Sequence, residues 1–271
     1  MQEIERFKEA ILKEYPRMSL EDKFSFRCRK NIPCFNRCCA DVNIFLTPYD
    51  IIRLRKNLNL SSDEFLSRYT LAPFDKNLKF PVLLLKMNED EKKACPFVTD
   101  DGCGVYSDRP WACRMYPVGM ASPKDNQGGI EKDFYFILRE DVCHGHKEKQ
   151  EWSVREWISD QGIDEYNEMG KYFKDLTLHD FFLNGGTLDL QKMEMFFMAS
   201  YHLDRFRKFL FESSFFDKFE IEADEKSRIK NDEEELMKFG VKWLRFALFG
   251  DRTMKVKAEL LKPKANSPNK S

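Results

Sequence analysis

The chain has 271 residues, enough to bury an ordinary core in one large or two modest domains, so its cysteines are not needed merely to staple a short peptide. Lysine and arginine number 45 against 46 aspartates and glutamates, a net charge of -1, which gives no argument for a nucleic acid or an anionic membrane surface as partner. No stretch reaches the length of a membrane span, and the charged N-terminus lacks the apolar run of a secretory signal, so the expected location is the cytoplasm.

In chain order, Ile4, Phe7 and Ile11 predict an amphipathic lead-in helix over residues 3–14. An irregular cysteine loop follows. Thr47-Pro48, a cap followed by proline at the first helical position, predicts a helix to about Asn57, and Ser61 with Glu64 predicts a second, short one. Phe80–Met87 and Phe134–Leu138 read as strands, expected to pair with each other, and Ser122–Gly129 reads as an exposed loop. Ser153 with Glu156 caps a further helix that Gly162 ends. Helices are then expected over 164–176, 190–219 and 225–249, with a disordered tail from Lys262.

The expected fold is therefore α+β and mainly helical. An irregular, metal-stapled, cysteine-rich half with a short β-pair would occupy 1–165, a helical region 166–261 and the tail 262–271. Phe196, Phe197, Phe206, Phe209, Phe211, Phe215, Phe216 and Phe219 crowd the helical region; most are expected in its core, and this half is the candidate surface for a protein partner.

All eight cysteines lie at or before Cys143: Cys28, Cys34, Cys38 and Cys39, then Cys95, Cys103 and Cys113, then Cys143. Eight thiols are the ligands of two four-cysteine metal sites. Adjacent Cys38 and Cys39 cannot easily close a disulfide on each other but can feed thiolates to one cluster or to two neighbouring sites. In a reducing compartment such clusters are more often metal ligands than crosslinks. Arg27, Arg29, Lys30, Arg37 and Arg114 adjoin these cysteines, where cations favour thiolates and can offset the negative charge of a four-thiolate site.

Three segments carry a resemblance: Phe26-x-Cys28 through Cys38-Cys39 to Asp50-Ile51; Cys95-Pro96-Phe97 through Gly102-Cys103 to Arg109-Pro110-x-x-Cys113-Arg114; and Cys143-x-Gly145. Over about residues 24–165 the chain resembles the YkgJ-type cysteine-cluster family of zinc- or iron-chelating domains, and more distantly the cysteine module of the flagellin lysine N-methylases. The resemblance implies a metal-binding domain whose metal ligands are all eight cysteines; Arg109, bonding carbonyls or sulfurs, and Arg114, following Cys113, are the candidate residues beside the bound group. Relatives usually carry two residues between the first two cysteines, whereas Arg29–Pro33 intervene here.

Structural zinc sites favour paired cysteines with two to four residues between them, a spacing met only by Cys34 with the Cys38-Cys39 doublet. Iron–sulfur clusters accept a short run plus a remote cysteine, which suits Cys34, Cys38 and Cys39 with a distant fourth ligand. The expected cofactor is an iron–sulfur cluster, four-iron four-sulfur, with zinc as the alternative. No radical signature follows Cys38, since the position two beyond Cys39 is Asp41, and no phosphate loop, zinc-ligand histidine pair or nucleophile elbow is present. Catalytic residues are not identified. His144 and His146 read as an exposed loop, His179 and His202 as packing or surface residues, and Tyr106 and Tyr116 as cover for the cluster. Three functions remain open: a structural or electron-carrying metal module, a cluster-dependent enzyme such as a methylase or oxidoreductase, and a metal-handling or sensing partner.

Overall fold

The computed structural model describes residues 15–73, 78–121 and 133–260. The lead-in helix over 3–14, the loop over 122–129 and the tail from 262 lie outside the described residues. What is described is mainly helical with a few short strands. The chain forms two compact units: residues up to Leu46 with Leu84–Glu168, and Thr47–Leu83 with the chain from Met169 onward.

The first unit is closed by a strand from each of its two chain segments. Lys23–Ser25 pairs antiparallel with Glu151–Ser153, Phe24 opposite Trp152, and the ladder continues as Phe26 N–H donates to Gln150 O at 2.8 Å and Arg27 N–H to Gly145 O at 3.1 Å. Alternation places Phe24 and Phe26 inward, where they meet Met115, Val118, Tyr135, Val154, Trp157, Ile158 and Ile163 in one core. Helix Val154–Asp160 begins with both bonds of the Ser153/Glu156 capping box formed, and Gly162 follows its end at φ 62°.

The two predicted strands do not pair with each other. Phe134–Ile137 pairs instead with Val118–Ala121, and Leu83–Leu85 lies elsewhere, Leu85 N–H donating to Ile44 O at 2.8 Å. Val-Gly-Met-Ala is a weak strand signal, but Gly119 leaves room for the Phe136 ring, which stands 2.3 Å from where a Cβ would be.

In the second unit, helix Pro48–Leu58 starts from a Thr47/Asp50 capping box with proline at its first position, and Ser62–Tyr69 from the Ser61/Glu64 box. The expected long helices are each broken. Leu190–Tyr201 and Leu203–Glu212 part at His202, which leaves helical geometry and caps Arg205 N–H with Nδ1 at 3.3 Å. Ser213 is extended and separates the turn Phe215–Lys218. Asp232, also extended, ends Ala223–Asn231 and caps Glu233–Leu244 by accepting from Glu234 and Glu235 N–H. The apolar period runs across these breaks, so side-chain chemistry decides them. Gly240 lets this last helix approach Leu190–Tyr201, since a Cβ there would lie 2.6 Å from Ala199 O. None of the eight clustered phenylalanines is exposed, and Phe196 and Phe206 are fully buried.

Asp204 ties these elements together, accepting from Ser62 N–H at 2.7 Å beside Arg207 at 3.2 Å and Arg55 at 3.8 Å. Burial pushes its carboxyl up, but the Ser62 N–H, Arg55, the Ser62 hydroxyl and Arg207 together hold it below the ordinary aspartate range. Its stabilisation is therefore complete above the unfolded value of about 3.9 and is lost as pH falls through the lower folded value. Asp204→Asn should cost about 1.5–3 kcal/mol at pH 7, the range for hydrogen bonds to a charged group, and flatten the acid limb of stability. Urea titrations at pH 7 and below pH 4 check this; an unchanged acid limb would refute it.

Candidate metal centre

All eight cysteines belong to the first unit and all are free thiols. The loop after Phe26 coils through successive turns: Ile32 N–H donates to Arg29 O, Phe35 to Ile32 O, Arg37 to Cys34 O and Cys39 to Asn36 O. Asn36 adopts the left-handed region at φ 65°, which asparagine tolerates, and its side-chain amide donates to Thr99 O at 2.8 Å. Cys38 and Cys39 thus fall in one short turn, Arg37–Cys39.

An isolated antiparallel bridge sets Cys95 beside Cys39. Cys95 N–H donates to Cys39 O at 2.7 Å, Ala40 bridges Ala94, and Asp41 N–H donates to Lys93 O. Beyond Cys95 the chain turns, Val98 N–H donating to Cys95 O, into a hairpin that sets Val98 opposite Cys103. Gly102, at φ 118°, makes that hairpin possible under the Phe35 ring. The peptide N–H groups of Phe97 and Val98 both hydrogen-bond the Cys95 sulfur. Burial nevertheless raises the Cys95 thiol above its ordinary value, with Cys103 adding to the rise and the two peptide bonds opposing it.

Cys113 lies in the short helix Trp111–Met115. The neighbouring Arg114 is buried and its guanidinium donates to three carbonyls, Arg109 O at 3.0 Å, Gln161 O at 2.7 Å and Ser107 O, while stacking 4.5 Å from the Tyr166 ring centroid. It fastens the loop that carries Cys113. Arg109 donates to the Gln161 side chain and lies 3.9 Å from the Tyr106 ring centroid; its Nε is enclosed and has no hydrogen-bond partner among the described residues. That N–H is a donor awaiting an acceptor.

The last cysteine returns to the first loop. Cys143 precedes the turn His144–Lys147, and His144 N–H donates to the Cys34 sulfur at 3.1 Å. The Cys143 thiol hydrogen-bonds the Tyr116 hydroxyl, which burial and that bond push above its ordinary range and which stands 3.3 Å from Glu140. His146 packs on Phe26 at 5.2 Å, and burial holds its ring below the ordinary histidine value. His179 and His202, both in the second unit, act through Nδ1 as helix caps.

The thiols lie within one another's fields. Burial raises Cys28 to about 11, followed in order by Cys38, Cys34 and Cys143, with Arg109 opposing. A hydrogen bond from Cys39 lowers Cys38 to about 7. Cys39 is raised far above its ordinary value by that same bond, then by burial and by Cys38, Cys95 and Cys113. A cleft of about 860 Å³ opens on Cys39, with Phe35, Ala40 and Val98 among its walls. Among the described residues no three His, Cys, Asp or Glu side chains stand close enough to hold one metal ion.

The donor set fits a thiolate-bound metal. The thiols are free, concentrated and mutually repulsive once ionised, and a bound cation removes that repulsion. Peptide N–H groups already point at the sulfurs of Cys34 and Cys95, which favours their thiolates. These donors have no side-chain signature and were not foreseeable, although Pro96 after Cys95 marks the turn.

Residues 27–153 match the model of the CxxCxxCC family, described as a "putative zinc- or iron-chelating domain". No curated protein and no solved structure matches the chain. Among the described residues no helix is long and apolar enough to cross a membrane.

Proposed function

We propose, from the premise that residues 27–153 form a zinc- or iron-chelating domain of the CxxCxxCC family, that this chain holds an iron–sulfur cluster through its cysteine thiolates and uses it structurally or to carry electrons. The observation that carries the reading is the arrangement of the first loop: Cys34, Cys38 and Cys39 lie in one run of turns, and the segment after Cys143 returns to it through His144 N–H to the Cys34 sulfur at 3.1 Å. A short run of thiols joined by a remote cysteine is the ligand pattern of iron–sulfur clusters, whereas structural zinc sites favour paired knuckles. Arg109, whose charge favours the Cys28 thiolate and whose Nε has no hydrogen-bond partner among the described residues, is the candidate donor to the bound group, and Arg114 holds the loop in place without reaching a sulfur through any of its three bonds.

Purification without oxygen, with iron, acid-labile sulfide and zinc measured per chain alongside the visible spectrum, tests this. Iron and sulfide in comparable amounts with broad brown absorbance are expected. Colourless protein with zinc alone would overturn the cluster and leave a structural zinc module.

A further inference from the structure

We propose that the cleft beside Cys39 binds a small organic anion, a molecule with an apolar body and one acidic group. This goes beyond the metal reading above and does not depend on which metal the thiols hold.

The cleft, of about 860 Å³, falls in the range of small-molecule sites, roughly 300–1,000 Å³. Its floor comes from a pair of small residues. Ala40 faces Ala94 in the isolated antiparallel bridge, and partners so placed carry their side chains on one face, about 5 Å apart. Both alanines line the cleft, and longer side chains there would close it. Phe35 and Val98 supply apolar walls, and local bonds hold those walls apart. The Phe35 ring stands 3.3 Å from where a Cβ on Gly102 would be, and the Asn36 amide donates to Thr99 O at 2.8 Å, tying the first loop to the hairpin. A cleft already held open between bonded segments carries little ordering cost when a ligand enters.

Charge decides what the cleft accepts. Arg37 and Lys92 stand in its wall, and neither has an ion-pair partner among the described residues. Cations close to them in the chain are already engaged, Lys93 with Asp41 at 3.0 Å and Lys30 with Asp101. Asp100, at the turn of the hairpin, is the one carboxylate among the lining residues, so two cations face one anion. An acidic group in the cleft meets a positive field that Asp100 offsets only in part, while the apolar body covers the alanine floor and the Phe35 and Val98 walls. Cys39 lies in the same wall, so the bound molecule sits beside the proposed metal centre.

The test is a fluorescence titration of the purified full chain, with metal counted per chain, using anilinonaphthalene sulfonate, an aromatic anion that brightens in apolar surroundings. One saturable site per chain is expected, from which naphthoate displaces the probe and the uncharged naphthalenemethanol does so far less well. Arg37→Gln and Lys92→Gln should each weaken binding about threefold and together about tenfold, the scale of exposed ion pairs. Ala94→Leu, which fills the floor, should abolish the site; if that variant fails to fold, the two surface charge variants decide alone. Absence of a saturable site, a site that the charge variants leave unchanged, or equal displacement by the uncharged competitor would overturn the proposal. Metal-free protein that keeps the site would sink the metal reading and leave this one standing, whereas metal-loaded protein without the site would do the reverse.

Discussion

Trp157→Ala should destabilise the cysteine-bearing unit by about 3–5 kcal/mol, the usual cost of removing a buried tryptophan, and reduce metal content with it. Trp157 is 6% exposed and packs edge-on to Phe26 at 5.5 Å, Phe24 at 5.9 Å and Trp152 at 5.4 Å. Its indole N–H donates to Met115 O at 3.1 Å, so alanine also leaves a buried carbonyl without its donor. Phe26 leads into the first cysteine loop, and Met115 ends the helix that carries Cys113. The indole therefore joins the two segments on which the thiols are mounted. It also lies beyond residue 153, where the family match ends, so the module completes its core with residues that the motif does not include. Trp157→Phe, which keeps most of the volume and loses the hydrogen bond, should cost less than half as much. Denaturant melts with metal analysis on both variants check this; an alanine variant with wild-type stability would show that the core tolerates the gap.

Glu233→Ala should cost the helical unit about 3–5 kcal/mol, because it strips a buried cation of its partner. Arg55 is 8% exposed and contacts Glu233 through one terminal nitrogen, while the other donates to Leu60 O at 3.1 Å. Burial pulls its pKa below the ordinary arginine range, with Asp204 opposing and Arg207 adding to the fall. Arg207 also reaches Glu233, at 3.5 Å. Without that carboxylate two guanidiniums would share Asp204 alone. The double variant Arg55→Met with Glu233→Leu removes both charges and should recover most of the loss, as buried ion pairs replaced by apolar residues commonly do. If the single variant melts as the wild type does, the network is solvated more than its geometry implies.

The helix starts were legible because their chemistry is local. Thr47/Asp50 with Pro48, Ser61/Glu64 and Ser153/Glu156 each close within four residues, and all three boxes form. The breaks at His202, Ser213 and Asp232 were not, because apolar residues recur at helical spacing on both sides and only a single side chain diverts the backbone. Partner choice among strands was equally hidden. Phe134–Ile137 announces itself by its aromatic residues, but its partner Val118–Ala121 carries a glycine that the Phe136 ring requires. For the candidate site, the cysteines and Arg109 stand out in the sequence, while the approach of Cys95 to Cys39 and of Cys143 to Cys34 depends on backbone bonds between segments far apart in the chain.

The pairing of Lys23–Ser25 with Glu151–Ser153 sets an order of assembly as the chain emerges during synthesis. Seven of the eight thiols have emerged once Cys113 is out, whereas Cys143 and the strand that closes over Phe26 come later. Cys28 and Cys34, whose loop is met by the segment after Cys143, are thus made early and completed late. Through that interval they are reactive sulfurs on an unfinished chain, and their protection rests on the turns of residues 29–39 and on how soon the final strand arrives.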